Sequence, residues 1–432
     1  MLPVFIQAQI NFSNEDSIFS FLRRNNITAK INALQEEQAI ATRNAAMANI
    51  LNFKNPLNFS ATNNLQLPVN FLPAEAFGGP VGSYKTITLG QQYVSNFNFT
   101  PQIDLINPQS WSKYRSAEIN IESTRLANQL SLRTVFETAT AGYYNIASLT
   151  EQIATTEELL KGATSIQQIV TQKFQNGLAR SQDVNNASAT LLSLRDRLAQ
   201  LLYLKQQQET ALRNLCNIPT AQPLQISWEK INEAPISTAP KSNLFSRQAE
   251  LQSRMLTSEL RAARFAMLPV VSLVYYQGWQ KNSNLAFNDN AVDWIQSKYI
   301  GLKISLPFPP DVSRITASYT ARINAQMAAL NALQARQQNE TGNELLMNEY
   351  NRNRVAWETA RELAQLRNEN YTASLQQFKE GLIGSDLLLN ALNDYLNAAA
   401  ALSNAQAVLL QSRAKIKINN LIQWNTSCLF SY

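Results

Sequence analysis

Apolar side chains change their spacing repeatedly along this chain, and each change predicts an element. From about Asn14 to Leu51 the run is rich in Ala, Gln, Glu and Asn and has no Pro or Gly, which predicts a helix. Asn55-Pro56 ends it, because the residue before a proline is pushed out of the helical region. From Leu57 the period becomes two. Leu57, Phe59, Ala61, Leu65, Leu67, Val69 and Phe71 occupy odd positions, while Asn58, Ser60, Thr62, Asn64, Gln66 and Asn70 lie between them. After the turn-rich stretch Pro73 to Ser83, the side holding Ile87, Leu89, Tyr93, Phe97 and Phe99 is apolar, and Thr86, Thr88, Gln92, Asn96 and Asn98 alternate with it. The pattern predicts a β-hairpin over about 57–105, apolar on one side and polar on the other.

A second hairpin is expected over about 270–308. Val271, Leu273, Tyr275 and Trp279 share one side of its first strand, although Val274 and Tyr276 blur the alternation. Ile300, Leu302, Ile304, Leu306 and Phe308 share one side of the return. Leu268-Pro269 opens this hairpin as Asn55-Pro56 opens the first.

Long helical regions follow both hairpins, from about Trp111 to Phe174 and from about Val312 to Phe378, neither containing proline. At ~1.5 Å per residue each extends roughly 95–100 Å. Both break at related motifs in which Phe174 matches Phe378, Gly177 matches Gly381, Leu178 matches Leu382, Ser181 matches Ser385 and Ala187 matches Ala391 at a constant offset of 204 positions. The glycines are placed for left-handed caps, and Ser181 and Ser385 for capping the next helices. Those return helices carry heptads: Val184, Ala187, Leu191, Leu194, Leu198 and Leu201 in the first, Leu388, Leu392, Tyr395, Ala399, Leu402 and Leu409 in the second. The constant offset makes the chain an internal duplication. Residues 10–215 form the first repeat, with its helical hairpin over about 111–215. Residues 216–243 form a connection with a short strand candidate at Ile226-Ser227-Trp228. Residues 244–420 form the second repeat, with its helical hairpin over about 312–420, and 421–432 form a tail.

Composition narrows the chemistry. There is no His, which removes the commonest general base and metal ligand. Cys216 and Cys428 lie too far apart in sequence for ligand spacing. Gly78-Gly79-Pro80-Val81-Gly82 is too Pro-broken for a phosphate cradle. The reading is therefore no enzyme, no metal and no cofactor. The net charge of +6 is spread without a basic block, which speaks against nucleic acid. No apolar run approaches the ~20 residues of a membrane-spanning helix, so a membrane crossing would have to use a closed barrel. Residues 1–9 resemble the end of a signal peptide's apolar core, with cleavage expected near Ala8 or Gln9.

The paired helix-hairpin tips, the Leu268-Pro269 entry and the twice-repeated order of helix, hairpin and long helices resemble the TolC-like outer-membrane efflux protein family over about Asn14 to Asn420. The resemblance implies a mainly α fold with a membrane β-barrel. Three identical chains would give four strands each to a twelve-stranded barrel, and coiled-coil helical hairpins would form a periplasmic α-barrel. Four strands alone cannot close a barrel, since membrane barrels start at about eight. The resemblance also implies a passive export duct of the cell outer membrane, serving tripartite efflux or type I secretion. Its partners would be a periplasmic adaptor, an inner-membrane transporter and outer-membrane lipid. Gate candidates at the tips are Asp183, Asp386 and Asn390; the second tip departs from the family pattern, because Leu387 and Asn390 stand where acids are expected. The turns Phe174, Gly177, Leu178, Ser181, Phe378, Gly381, Leu382 and Ser385 are expected to dock the adaptor. The residues expected to face lipid are Phe59, Leu65, Leu67, Ile87, Leu89, Tyr93, Phe97, Phe99, Leu273, Tyr275, Ile300, Leu302 and Ile304. The rival reading is a soluble or peripheral coiled-coil scaffold without a pore.

Overall fold

A computed structural model describes residues 10–220, 222–226 and 240–421. The expected signal segment, Ser227-Trp228, Cys428 and the tail from 422 lie outside the described residues. In chain order the elements are β1 (Ile10–Phe12), α1 (Glu15–Asn25), α2 (Ile27–Leu51), β2 (Leu57–Asn63), β3 (Val69–Pro73), β4 (Tyr84–Thr88), β5 (Tyr93–Phe99), β6 (Gln102–Ile106), α3 (Pro108–Gln175), α4 (Ser181–Cys216), β7 (Leu224–Ile226), α5 (Leu244–Phe265), β8 (Val270–Ser283), β9 (Ile295–Ser305), α6 (Val312–Lys379) and α7 (Ser385–Leu421). A short 3-10 turn, Ala74–Phe77, joins β3 to β4. The long helices α3 and α6 each run for 68 residues.

Two compact units divide the chain, and each draws on both sequence repeats. The first holds Met1–Glu36, Ser123–Ala249 and Asn331–Tyr432. It has two apolar clusters. One gathers Phe12, Ile18 and Leu22 with Tyr143 and Ile146 of α3, Leu212 and Cys216 of α4, and Ala414 and Ile418 of α7. The parallel pair β1–β7 lies at its margin, with Ile10 opposite Leu224 and Phe12 opposite Ile226. The other cluster gathers Leu159, Ile166 and Val170 of α3, Ala187 and Leu194 of α4, Phe378 of α6, and Leu388 and Leu392 of α7. The heptad positions Ala187, Leu194, Leu388 and Leu392 are therefore core, as coiled-coil seam residues should be.

The first helix is not continuous. Asn26 ends α1, its backbone N–H donating to the Leu22 carbonyl at 2.9 Å, while its Oδ1 accepts from the Ala29 N–H of α2 at 3.2 Å. Its Nδ2 also donates to the Leu215 carbonyl at 2.7 Å. One buried side chain thus caps a helix and ties the break to α4. At the start of α1, Asn14 and Ser17 form a reciprocal capping box.

The second unit holds Glu37–Glu122 and Glu250–Leu330. Its main sheet is antiparallel throughout. β2 pairs with β5, β5 and β6 pair with successive parts of β8, and β9 pairs with the other side of β8. The sheet therefore has four columns, β2, β5/β6, β8 and β9. Among the described residues nothing pairs with the outer edge of β2 or of β9. The first expected hairpin is split. Asn64 turns the chain, its backbone N–H bonding the Gln92 carbonyl at 2.7 Å and its side chain the Gln91 carbonyl at 2.9 Å. Beyond it, β3 and β4 form a separate two-stranded sheet.

Candidate functional sites: two sheet faces and two helix tips

Side chains of directly paired residues share a face, and alternate residues return to it. Phe59, Phe97 and Trp279 form one row, and Leu57 with Phe99 forms the next. Tyr275 faces Ile300, Leu273 faces Leu302, and Val271 faces Ile304. Phe59, Tyr93, Phe97, Phe99, Leu273, Tyr275, Ile300, Leu302 and Ile304 consequently lie on a single face, the apolar face. Gln277, Gln296 and Lys298 interrupt it. Ile300, Leu302 and Ile304 are largely exposed. At the far end, Phe287 of the β8–β9 connection packs edge-on against Tyr93 at 4.9 Å, and Ser95 and Lys281 on the same face are buried. The other expected residues sit elsewhere. Leu65, Leu67 and Leu89 occupy connections, and Ile87 of β4 pairs with Asn70, on the face opposite Phe71.

The other face of the main sheet carries Asn58, Ser60 and Thr62 of β2, Asn96 and Asn98 of β5, and Ser272 of β8. Asn58 donates to Asn98 at 3.2 Å. Tyr276 belongs here too. It pairs with Tyr299, and the two rings stack at 4.9 Å and 12°. The Tyr276 ring lies over Gly278, where an added Cβ would clash with its hydroxyl. This placement is why the alternation of β8 looks blurred in sequence.

Asp104 was invisible in the sequence pattern. It is buried in β6, and its carboxylate accepts from Ser272 at 2.7 Å, Asn52 at 2.8 Å, Asn107 at 2.9 Å and Gln102 at 3.3 Å. A buried carboxylate is tolerable only when its lone pairs are used. Here that requirement joins the end of α2, the start of α3, β6 and β8. No periodicity marks Asp104, because two of its partners, Asn52 and Ser272, lie 52 and 168 positions away in sequence.

The two tips share one backbone. Leu178 N–H bonds the Lys173 carbonyl at 2.8 Å and Gly177 N–H the Phe174 carbonyl at 3.0 Å. At the second tip Leu382 N–H bonds the Gln377 carbonyl at 2.9 Å and Gly381 N–H the Phe378 carbonyl at 3.1 Å. These are paired Schellman turns. Gly177 and Gly381 adopt φ of 71° and 77°, where a side chain would be strained. The side chains differ. Phe378 is 3% exposed, in the apolar cluster beneath the Lys173 ammonium at 4.6 Å, whereas Phe174 is 45% exposed. Leu178 and Leu382 are both exposed. Ser385 is buried and Ser181 exposed.

The expected caps are corrected at both tips. Ser181 and Ser385 are already the first residues of α4 and α7, and at the first tip the Arg180 backbone N–H is held instead by the Asp183 carboxylate at 2.9 Å. Asp183 is thus a helix-start acid, favoured there by the macrodipole. Asp386 occupies the equivalent turn of α7 and is exposed, as are Leu387 and Asn390. Above this tip α6 and α7 are joined by an Arg367–Asp394 ion pair at 2.7 Å and by stacked Tyr371 and Tyr395 rings at 5.9 Å. Burial raises both tyrosine pKa values, with the nearby Glu158 charge adding to it.

No group of three acids or thiols among the described residues is arranged to hold a metal ion. Cys216 is buried, and desolvation pushes its thiol up to about 12.

Comparison with known proteins gives concordant matches. Residues 70–217 match the family model for outer membrane efflux proteins. Toxin and drug export protein A of Aggregatibacter actinomycetemcomitans is 24% identical over 328 residues, covering 72% of this chain and 68% of that protein. The outer membrane channel CmeC of Campylobacter jejuni superposes with a TM-score of 0.75 at 17% identity, over 98% of this chain and 92% of the channel. The outer membrane protein VceC of Vibrio cholerae gives 0.73 at 15% identity, over 94% and 95%.

Proposed function

We propose that this chain, which matches the family model for outer membrane efflux proteins over residues 70–217, belongs to that family and forms one third of a passive export duct that crosses the outer membrane as a shared barrel and is gated at its helix tips. The observation that carries the reading is the main sheet itself. It has one apolar, exposed face, one polar face and two open edges. In lipid an open edge leaves backbone groups without partners, so the sheet must close. Because β2 and β9 run antiparallel in the strand order, β9 of one copy can pair with β2 of the next, keeping every neighbour antiparallel and each face continuous. Three copies give twelve strands. From Val271 to Trp279 the apolar rows rise about 27 Å along the strand. At the usual barrel tilt that becomes about 21 Å, comparable with the ~25 Å apolar band of outer-membrane barrels.

The polar face then lines the pore, with Asn, Ser and Thr that pass solutes without holding them. The tips are the proposed gate. Phe174, Gly177, Leu178, Ser181, Gly381 and Leu382 mark the turns where an adaptor would dock, and an inner-membrane transporter would supply the energy. Phe378 and Ser385 are set apart by their burial within the protomer. Asp183, Asp386 and Asn390 are the gate candidates. The comparisons lend the pore-free scaffold reading no support.

The experiment is electrical. Purified trimer in planar bilayers should form a pore, and Asp183→Ala combined with Asp386→Ala should lower its preference for cations. A folded, detergent-extracted trimer that never conducts would overturn the reading.

A further inference from the structure

The last rows of the apolar face hold a buried cation. Beyond the Phe97–Trp279 row, Ser95 pairs with Lys281, and Tyr93 pairs with Ser283. Ser95, Lys281 and Ser283 are all buried, and Lys281 is only 8% exposed. A lysine on a lipid-facing wall ordinarily carries its ammonium out to water. Here the ammonium makes no hydrogen bond, and no carboxylate among the described residues forms an ion pair with it.

Some polar groups of these rows are already engaged. The Ser283 hydroxyl donates to Asp289 at 2.6 Å and accepts from the Leu285 N–H at 3.0 Å. The Asp289 carboxylate also accepts from the Ala291 N–H at 2.9 Å. These two bonds, and at longer range the Lys281 charge, hold the Asp289 carboxyl below its usual range. Two groups are not engaged. The Ser95 hydroxyl, directly across from Lys281, makes no hydrogen bond. Gln91 Oε1 is buried and has no partner either. The next residue, Gln92, donates its N–H to Asn284 Oδ1 at 3.0 Å, which fixes this segment at the same end of the sheet. A buried ammonium without a partner is costly, and so is an unpaired acceptor. An ammonium and a hydroxyl facing each other across a strand pair, both with protons to give, suit the oxygens of an anion.

We infer that Lys281 and Ser95 bind the phosphate of a lipid headgroup on the outer wall of the protein, with Gln91 Oε1 accepting from a hydroxyl of the same headgroup. The inference rests on the export-duct reading, which puts this face in lipid. Position names the ligand. Strand β8 follows α5 and β9 leads into α6, so the connection between them lies at the end of the sheet away from the helices. The apolar rows from Val271 to Trp279 stop just short of Lys281, and Tyr93 and Phe287 stand one row beyond it. In outer-membrane barrels, aromatic residues mark the level where acyl chains give way to headgroups. Phosphate is the negative charge a lipid carries at that level. Both strands of the site, β5 and β8, are inner strands of the sheet, so one chain holds it complete.

The test uses the full chain in a neutral maltoside detergent free of phospholipid, with short-chain phosphatidylglycerol as the probe. The lipid should raise the melting temperature and stay bound in native mass spectrometry. Lys281→Met should bind it about ten- to a hundredfold more weakly. Without lipid this variant should melt no lower than the unaltered protein, because it removes an unpaired buried charge. Ser95→Ala should weaken binding in the same direction by less. Lys298→Met removes the same charge from an exposed position on the same face and should leave binding unchanged. Equal losses from Lys281→Met and Lys298→Met would reduce the effect to general charge and overturn the site. So would a Lys281→Met protein that binds the lipid as tightly as the unaltered one. Inorganic phosphate binding as tightly as the lipid would overturn the headgroup assignment. Pore formation by Lys281→Met should be unchanged throughout. If the unaltered protein forms neither trimer nor pore, the duct reading itself fails, a result distinct from all of these.

Discussion

The tip between α3 and α4 and the tip between α6 and α7 have the same turn and different side-chain fates. Both stop a 68-residue helix with a left-handed glycine and the same pair of backbone hydrogen bonds. Yet Phe378 is sealed inside the protomer, and its counterpart Phe174 faces outward. Ser385 is buried and Ser181 is not. The comparison teaches which parts of a duplicated hairpin are constrained by geometry. The turn needs Gly at its left-handed position whatever surrounds it. The phenylalanine needs only a partner, inside the chain or outside it. One copy of the motif therefore serves packing, and the other leaves an aromatic free for contact.

The largest expected effect separates the two phenylalanines. Phe378→Ala should destabilise the protein by about 3–5 kcal/mol, the usual cost of truncating a buried aromatic. Phe174→Ala should change stability by less than about 0.5 kcal/mol yet weaken capture by an adaptor. Denaturant titration of the solubilised trimer reads the first, and a pull-down with the cognate adaptor reads the second. Equal stability losses would erase the contrast.

A smaller effect tests what the tips share. Gly177→Ala and Gly381→Ala should each cost about 1 kcal/mol, because both force a Cβ into the left-handed region. The two values should agree, unlike those for the phenylalanines. Thermal melts of the two variants side by side provide the check.

The smallest effect concerns the acids. Asp183→Ala removes the acceptor for the Arg180 N–H and should cost about 0.5–1 kcal/mol. Asp386→Ala should cost less, since its carboxylate is exposed and the structure gives it no comparable bond to the helix start. If Asp386→Ala proves the more destabilising, the second tip holds a cap of its own.

Much of this architecture was legible in the residues. The α3 and α6 lengths follow from runs free of proline, and the tips follow from Gly177 and Gly381. Strand alternation correctly grouped Phe59 with Phe97 and Leu273 with Tyr275. These features are local, so a period or a turn residue is enough to find them. The misses share the opposite property. The break at Asn26 depends on a carbonyl at Leu215, the Asp104 node depends on Asn52 and Ser272, and Tyr276, an aromatic on the polar face, stacks on Tyr299. Each is set by residues distant in sequence. The continuous strand expected from Leu57 to Phe71 failed for a similar reason: the alternation continues past Asn64, but Asn64 bonds across to Gln91 and Gln92 and turns the chain.

The open edges of β2 and β9 have a consequence for how the protein is made. On the proposed closure, a single chain could not reach its final state in lipid, because its last backbone hydrogen bonds would belong to another molecule. Completion is a concentration-dependent reaction between chains, and its rate must fall steeply when synthesis slows. Until that reaction occurs, each copy displays two strand edges open to any passing strand. On that reading, an unpaired β2 or β9 edge is the structural mark that separates a subunit still alone from one that has met its neighbours.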